Sequence, residues 1–383
     1  MTVFINARFL CQKLSGVQRF AGEIVAALDN LIGTDPILAA AIGPIIALHP
    51  EGVLRHAQWR NIKVKQVGRT YGHIWEQGAL YRASKGGLLI SLGNAGPLRH
   101  PAQIVALHDA NIWEIPDAFS SSYKMLHKTM RPILARRAKR LLTVSKFSAT
   151  ALSKYLEIQA DKFSIIPNGA NHIMNVVADP WILQKHKLHK KGYLLSVGNQ
   201  SPNKNIAKLL EAHALLGSLV PPLVIVGGSA SGVEIERLPK NTRARFLGRV
   251  SDGALKALYE QASGFVFPSL YEGFGIPPLE AMQIGTPVLA AYRTALPEIL
   301  QDGAMYFDPT DVDEMALALR QFSSLSTVAR SDLIARGKNI ARAFTWEKSG
   351  RLLAEQILSL KVTESKDVQG VHTKHASPVR KAS

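Results

Sequence analysis

The chain has 383 residues, of which 46% are hydrophobic and 20% are charged, and this composition excludes an intrinsically disordered body. Its length is well above the average of about 150 residues for one domain, so we expect two domains. The only cysteine, Cys11, excludes an internal disulfide, and the formal net charge is +17. We recognise no secretory leader and no apolar run of membrane-spanning length, so we expect a cytoplasmic protein whose membrane contact, if any, is peripheral.

Short apolar runs alternate with helical patterns through the first half, which predicts a parallel sheet with helices on both faces. A loop with Gly16 joins the first run to an amphipathic helix that carries Arg19. Another run leads directly into His108 and Asp109, and the carboxyl ends of parallel strands face the ligand cleft in such folds. The predicted strands of this half are 3–6, 62–65, 88–91, 104–107, 141–144 and 163–166.

Two clusters of positive charge precede the second half. Residues 124–146 contain eight Lys or Arg and no acid, on a segment with helical spacing of its apolar residues, and lysines alternate with histidines in 185–191. Basic helices bind anionic lipid headgroups, whereas a purely solvated basic face would only increase solubility. The sequence leaves both interpretations open.

The second half begins a new series of apolar runs, with predicted strands at 193–197, 223–226, 245–247, 265–267, 288–291 and 305–307. The polar stretch 168–191 has little strand signal, so we place the hinge there. We therefore predict a first domain at 1–175, a second domain at 190–345, a last helix at 346–360 and a mobile tail at 361–383.

The most informative stretch is 265–287, where a strand, a glycine-bearing turn and a helix start surround two acids. Glu272 lies in the turn, and Glu280 is predicted in the first turn of a helix that begins near Pro277. A helix N-terminus attracts phosphate, and Gly273 and Gly275 let a ligand approach the backbone closely. Two carboxylates beside a phosphate cradle indicate a sugar nucleotide, whereas solvated acids that only favour the helix dipole are the structural alternative.

The segment EGFGIPPLEAMQIGTPV at 272–288 resembles the paired-glutamate signature of retaining glycosyltransferases of family 4. The resemblance extends to about residue 360. It implies the α/β GT-B fold, in which two Rossmann-like, doubly wound parallel-sheet domains face each other across a cleft. It also implies that the last helix crosses back onto the N-terminal domain.

A second strand, turn and helix start, at 193–206, contains Gly198, Asn199 and Lys204. Lys204 resembles the phosphate-binding lysine of the family. The family often has an arginine where this chain has Asn199, so we expect neutralisation of the diphosphate to depend more heavily on Lys204. An ordinary solvated lysine at a helix start is the structural alternative.

The resemblance assigns a role to each candidate residue. Glu272 would hold sugar hydroxyls, Glu280 the ribose hydroxyls, and His108 the donor sugar, although a structural histidine is the alternative at 108. No protein nucleophile, metal site or cofactor is expected. The predicted catalytic residues are Glu272, His108 and Lys204; the predicted donor-binding residues are Gly16, Gly198, Asn199, Lys204, Val250, Gly273, Phe274, Gly275, Ile276 and Glu280; the predicted acceptor-binding residues are Asp109 and Arg19.

The implied reaction moves a sugar from a nucleoside diphosphate to a saccharide or lipid-linked oligosaccharide at the inner face of the cytoplasmic membrane. The stretches SLGNAGP at 91–97 and ALHDANIWEIP at 106–116 resemble mannosyl- and rhamnosyltransferases of bacterial polysaccharide assembly, which makes GDP-mannose our first choice of donor. A UDP- or dTDP-sugar, or an epimerase or hydrolase of the same architecture, remains open. We expect no nucleic-acid partner, because aromatic residues do not interleave with the cations. Neither half has the Gly-x-Gly-x-x-Gly spacing of a dinucleotide oxidoreductase.

Overall fold

The structure is a computed structural model that describes residues 1–52, 54, 59–199, 201–228 and 243–372. Within these residues thirteen strands alternate with fifteen α-helices. The strands are β1 (Val3–Asn6), β2 (Ile45–His49), β3 (Lys63–Gln66), β4 (Leu88–Ser91), β5 (Gln103–Ala106), β6 (Arg140–Thr143), β7 (Phe163–Ile165), β8 (Leu194–Val197), β9 (Leu223–Val226), β10 (Ala244–Gly248), β11 (Gly264–Phe267), β12 (Val288–Ala291) and β13 (Ala304–Phe307).

Most helices connect successive parallel strands, as the alternating sequence pattern predicts. Short 3-10 helices occupy Arg8–Cys11, Pro116–Ala118, Ala160–Lys162, Asn171–Asn175, Pro202–Lys204, Gly217–Leu219 and Gln301–Gly303, and a π-helix occupies Glu76–Leu80. The α-helices are α1 (Gly16–Thr34), α2 (Pro36–Ile42), α3 (Gly72–Trp75), α4 (Tyr81–Ser84), α5 (Asn111–Glu114), α6 (Ser121–Arg137), α7 (Lys146–Leu156), α8 (Trp181–Lys185), α9 (Ile206–Leu216), α10 (Asp252–Gln261), α11 (Ile276–Ile284), α12 (Leu296–Leu300), α13 (Val312–Ser323), α14 (Thr327–Ala341) and α15 (Trp346–His372).

The strands form two sheets, with the order β3-β2-β1-β4-β5-β6-β7 in the first and β10-β9-β8-β11-β12-β13 in the second. Parallel pairing runs through both sheets, for example Val3 with Ile45 and Phe265 with Val288. In each sheet the order reverses beside the first strand, at β1/β4 and at β8/β11, which are the topological switch points where such folds bind ligands. The predicted α/β fold with two doubly wound parallel sheets is confirmed.

The contacts between residues divide the chain into two compact units. The first comprises residues 1–106, 133–141 and 347–383, and the second comprises 107–132 and 142–346. This division differs from the predicted boundary at 175–190, because residues 107–132 and 142–175 group with the second half of the chain. The predicted hinge at 168–191 therefore lies inside the second unit.

The core of the second unit lies between its sheet and the helices that cover one face. Leu194, Val266 and Leu289 come from three adjacent strands and pack against Leu319 and Phe322 of α13. β9, β11 and β12 are buried along their whole length, which explains their continuous apolar sequence.

In the first unit the sequence did not predict β2, which pairs with β1 and with β3. The apolar residues from 37 to 48 run almost without interruption, so periodicity alone does not separate a helix from a strand there. Gly43 ends α2 with a φ of 71°, a conformation that favours glycine, and Pro44 then leads into the strand.

The last helix, α15, ends at His372 and not at residue 360 as predicted. Residues 361–372 contain no proline and include good helix formers, so polarity alone did not end the helix. From residue 347 onward the helix groups with the first unit, where Lys361 Nζ donates to the carbonyl of Ala41 at 3.3 Å. Residues 373–383, the rest of the predicted tail, lie outside the described residues.

Among the described helices, none by itself combines the length and the apolar composition of a membrane span. Together α1 and α2 reach that composition, and their axes are bent by 116° relative to each other.

Candidate active site

The turn that carries Glu272 lies between the end of β11 and the start of α11. Gly275 caps the helix with a φ of 105°, where a side chain would be strained and its Cβ would lie 2.7 Å from Leu296 Cδ2. Prolines occupy the first positions of the helix, where their missing N–H groups are not needed. Glu272 therefore lies in the turn that leads into the N-terminus of α11.

Lys204 and Glu272 form an ion pair, although they are 68 residues apart in the sequence. Lys204 Nζ lies 2.5 Å from Glu272 Oε1 and 5.5 Å from the centre of the Phe267 ring. The side chains are 21% and 14% exposed, so the pair is partly screened from water but reachable by a ligand. A Cβ on Gly198 would lie 3.3 Å from the stem of Lys204, so this glycine lets the lysine side chain pack against the end of β8.

The segment of His108 and Asp109, at the carboxyl end of β5, lies directly against the Glu272 turn. A Cβ on Gly273 would be 2.8 Å from both the His108 carbonyl oxygen and Asp109 Cβ, so no larger residue fits at 273. On the same side, Ser145 Oγ and Ser148 Oγ donate to the Gly273 carbonyl at 2.7 and 3.0 Å. The structure thus brings His108, Asp109 and the Glu272 turn together in one unit.

Arg131 contacts this segment through a hydrogen bond to the Asp109 backbone, and the sequence did not predict it as a site residue. The sequence placed it among the cations of a basic surface, but only 1% of it is exposed. Its Nη1 donates to the Asp109 carbonyl at 3.0 Å, and its guanidinium lies 5.8 Å from the Trp113 ring centre. Burial lowers the pKa of Arg131, while the charge of Asp109 opposes this shift. The available signal was its spacing, because Arg131 directly follows Met130 on the buried face of α6.

Glu280 is the fifth residue of α11, so the prediction of a position in the first helical turn is wrong by one residue. The helix begins at Ile276 because Gly275 adopts a left-handed conformation. The Glu280 carboxylate is buried, and its Oε2 accepts from the Tyr259 hydroxyl at 2.9 Å. His172 Nε2 lies 2.9 Å from its Oε1 in a bent geometry.

His172 and Trp346 complete a polar chain that the sequence did not reveal. Trp346 Nε1 is always a donor, and it donates to His172 Nδ1 at 3.0 Å. His172 Nδ1 therefore carries no proton, and the neutral ring holds its proton on Nε2, facing Glu280. These partners fix the orientation of the Glu280 carboxylate.

Of the other predicted donor residues in this unit, Asn199 is exposed, and its Oδ1 accepts from Ser201 Oγ at 2.7 Å. Phe274 is buried edge-on against Phe344, with ring centres 5.7 Å apart, so only its backbone can serve a ligand. Val250, two residues beyond β10, and Ile276, the first residue of α11, are half-buried.

Gly16 and Arg19 belong to the first unit. Gly16 is the first residue of α1, and space for a side chain is open around it. Arg19 Nη1 lies 3.6 Å from Glu23 Oε1 one turn later, so the structure gives this arginine a local ion-pair partner.

The second unit therefore presents one cation, one helix N-terminus and two oriented carboxylates near a switch point. Such a site can bind a diphosphate through the cation and the backbone donors while the carboxylates accept hydrogen bonds from hydroxyls. Among the described residues, no group of three His, Cys, Asp or Glu side chains is placed to hold a metal ion.

Comparison with known proteins agrees with this chemistry. A sequence profile described as "Glycosyl transferases group 1" matches residues 180–340. O-antigen chain mannosyltransferase B of Escherichia coli is 34% identical over 267 residues, which cover 66% of this chain and 68% of that protein. O-antigen chain mannosyltransferase RfbU of Salmonella typhimurium is 27% identical over 263 residues, covering 68% of this chain and 70% of that protein.

Solved structures show the same fold at low sequence identity. Sucrose-phosphate synthase from Thermosynechococcus elongatus superposes with a TM-score of 0.71 at 18% identity, covering 94% of this chain and 99% of that one. WaaG, a glycosyltransferase involved in lipopolysaccharide biosynthesis, gives a TM-score of 0.67 at 16% identity, covering 93% and 99%. The fold, the profile and the identity to a curated relative agree, and the chain belongs to the group 1 glycosyltransferases.

Proposed function

We propose that this glycosyltransferase transfers mannose from GDP-mannose to a saccharide or lipid-linked oligosaccharide acceptor during synthesis of a bacterial surface polysaccharide. The names of the curated relatives support the sugar and the pathway. The observation that carries the proposal is the Lys204–Glu272 pair beside the N-terminus of α11, because it combines a diphosphate-binding cation with a hydroxyl-binding carboxylate.

In the proposed reaction the bond between the sugar C1 and the diphosphate oxygen breaks, so negative charge develops on the leaving group. The Lys204 ammonium has three N–H donors, of which one reaches Glu272 and two remain for phosphate oxygens. Glu272 offsets part of the lysine charge, and Pro277 and Pro278 have no N–H groups, so the backbone N–H groups of residues 273–276 would share the stabilisation. One preorganised donor of this kind is typically worth about a hundred- to a thousandfold in rate.

The carboxylates and His108 would orient the donor. Glu272 has one oxygen beside Lys204 and the other available for sugar hydroxyls. Glu280, whose carboxylate is oriented by the Tyr259 hydroxyl, would accept from the ribose hydroxyls. We propose retention of the anomeric configuration: the acceptor oxygen bonds to C1 on the face that the diphosphate leaves, and its proton passes to the leaving phosphate. This scheme uses neither a protein nucleophile nor a resident metal.

A peripheral position on the inner face of the cytoplasmic membrane is part of the proposal. The beginning of α6 exposes Met125 (73%), Leu126 and Tyr123 next to Lys128. Apolar side chains beside cations on one helix favour binding in the headgroup region of an anionic bilayer. The burial of Arg131 removes one cation from this surface but leaves this part of the helix basic.

The proposed donor is tested by thermal shift with GDP-, UDP- and dTDP-sugars, followed by transfer assays in which NMR reports the anomeric configuration of the product. A ligand at 100 times its Kd stabilises the folded state by about 2.7 kcal/mol, so GDP-mannose should give the largest shift. Turnover should persist in EDTA. A larger shift with a UDP- or dTDP-sugar would reject the GDP donor, inversion would reject the mechanism, and donor consumption without any acceptor would favour an epimerase or hydrolase.

A further inference from the structure

A cavity of about 690 Å³ opens in the second unit beside the Glu272 turn. Its volume is within the range of about 300–1,000 Å³ of small-molecule sites. We propose that this cavity binds the sugar residue of the acceptor, which rests on the proposed glycosyl transfer and assigns the acceptor a site that includes neither Asp109 nor Arg19. Its polar lining includes Glu114, Thr150, Lys154, Arg293 and Thr294, and Tyr271 forms part of its apolar wall.

The cavity is connected to the catalytic turn through two of its lining residues. Thr294 Oγ1 accepts a hydrogen bond from the Glu272 backbone N–H at 3.1 Å. Tyr271, which immediately precedes Glu272, accepts from the Ala110 N–H at 3.2 Å through its hydroxyl. A sugar in the cavity would therefore lie against the segments that hold Glu272 and Asp109.

Sheet topology separates this cavity from the expected position of the donor diphosphate. Lys204 follows β8, whereas Arg293 and Thr310 of the cavity wall follow β12 and β13. In the sheet, β11 lies between β8 and these two strands. The Glu272 turn follows β11, so the diphosphate at Lys204 and a ligand in the cavity would approach it from opposite sides. That is the arrangement that a transfer between two sugars requires.

The backbone at Thr294 is strained in a way that suits a binding role. Its φ is 56°, which is rare and energetically unfavourable for a β-branched residue. This conformation brings the Thr294 hydroxyl to the Glu272 N–H while the residue also lines the cavity. A site that positions both the catalytic carboxylate and a ligand would account for the retention of this strain.

The polar groups match a ligand with several hydroxyls. Arg293 and Lys154 form no ion pair among the described residues, so their N–H groups are available as donors. Glu114 accepts from the Tyr155 hydroxyl at 2.9 Å and retains acceptor capacity, and Thr150 can both donate and accept. Donors, acceptors and apolar walls in one cavity fit a pyranose ring, which presents hydroxyls at its edge and C–H groups on its faces.

The proposal is tested by saturation-transfer NMR on the full chain with methyl α-glycosides of mannose, rhamnose, galactose and N-acetylglucosamine. Arg293→Ala removes an exposed donor, and Ala151→Trp fills the cavity from α7. Arg320→Ala, an exposed arginine of α13 outside the cavity, and Ala160→Trp, at an exposed position, are the matched controls. We expect at least one glycoside to bind the unmodified chain, and its signal to fall at least about tenfold in both cavity variants and in neither control.

Calorimetry with GDP on the same samples separates this proposal from the proposed function. Donor affinity unchanged within about twofold in Arg293→Ala, together with the lost glycoside signal, supports an acceptor site. Absence of glycoside binding to the unmodified chain, or equal binding to both cavity variants, overturns the acceptor site even when GDP binds normally. A weakened affinity for GDP in Arg293→Ala also overturns it, because the cavity would then belong to the donor. Failure of the unmodified chain to bind any nucleotide would instead count against the proposed function.

Discussion

Replacement of Lys204 by alanine is the sharpest test of the candidate active site. The ammonium lies 2.5 Å from Glu272 Oε1, in the turn that leads into α11. Removal of one preorganised donor at a developing negative charge typically lowers kcat about 100- to 1,000-fold, or about 2.7–4 kcal/mol. We expect Lys204→Ala and Glu272→Ala each to fall in this range.

The contact between the two side chains makes a second, stricter prediction. Residues that act as one unit are not additive, so the double variant Lys204→Ala/Glu272→Ala should cost little more than either single variant. The two side chains are partly exposed, so loss of the pair should reduce the free energy of unfolding by only about 1 kcal/mol. A loss of activity would then reflect chemistry and not misfolding.

The assay measures kcat and KM for transfer at saturating acceptor, with the melting temperature recorded for each variant. Lys256→Ala is the control, because this half-buried lysine of α10 in the same unit donates only to the backbone carbonyls of Met174 and Val176 among its hydrogen bonds in the described residues and to no carboxylate. Activity of Lys204→Ala within tenfold of the unmodified enzyme would refute the assignment. Losses that multiply in the double variant would show that the two residues act independently.

Three further predictions concern residues outside the ion pair. Tyr259→Phe removes the hydroxyl that donates to Glu280 Oε2 at 2.9 Å. Because a hydrogen bond to a charged group is worth about 1.5–3 kcal/mol, the KM for the donor should rise roughly ten- to a hundredfold with a smaller change in kcat, and an effect on kcat alone would contradict the positioning role. Burial lowers the pKa of His213, so the unfolded state binds a proton more readily than the folded state, and the free energy of unfolding should fall as the pH drops below about 6.5. His213→Gln should make the melting temperature depend less on pH between about pH 6.5 and 5. An unchanged pH dependence would reject this reasoning. Met125→Ser and Leu126→Ser should each weaken co-sedimentation with phosphatidylglycerol vesicles without affecting turnover of a soluble acceptor, and undiminished binding by the double variant would exclude this surface as the membrane contact.

Local patterns were sufficient to predict the two parallel sheets and the strand ends that carry the site. Apolar runs, glycine turns and helix starts follow one another within a few residues. The backbone preferences that produce strands, turns and helix ends also depend on residues only a few positions apart in the sequence. Such patterns located the Glu272 turn and the lysine after β8, the resemblance to family 4 glycosyltransferases gave both residues a role, and the structure brings Lys204 and Glu272 into contact. Even locally the prediction had limits, since an uninterrupted apolar stretch concealed β2.

The partners of these residues could not be predicted from local patterns. Trp346 and His172 are 174 residues apart in the sequence. Only the tertiary structure shows that Trp346 contacts His172 and that His172 in turn contacts Glu280. Arginine usually lies at the protein surface, yet Arg131 is buried and donates to the Asp109 carbonyl.

The sequence by itself determined the fold class and offered the cation and the two carboxylates as candidates, because each of these inferences depends on residues that are neighbours along the chain. Tertiary structure decided which side chains orient those groups, where the helix dipole points, and that a cavity opens beside Thr294. The physical reason is that orientation and burial result from contacts between distant segments, and sequence periodicity does not specify which segments will meet.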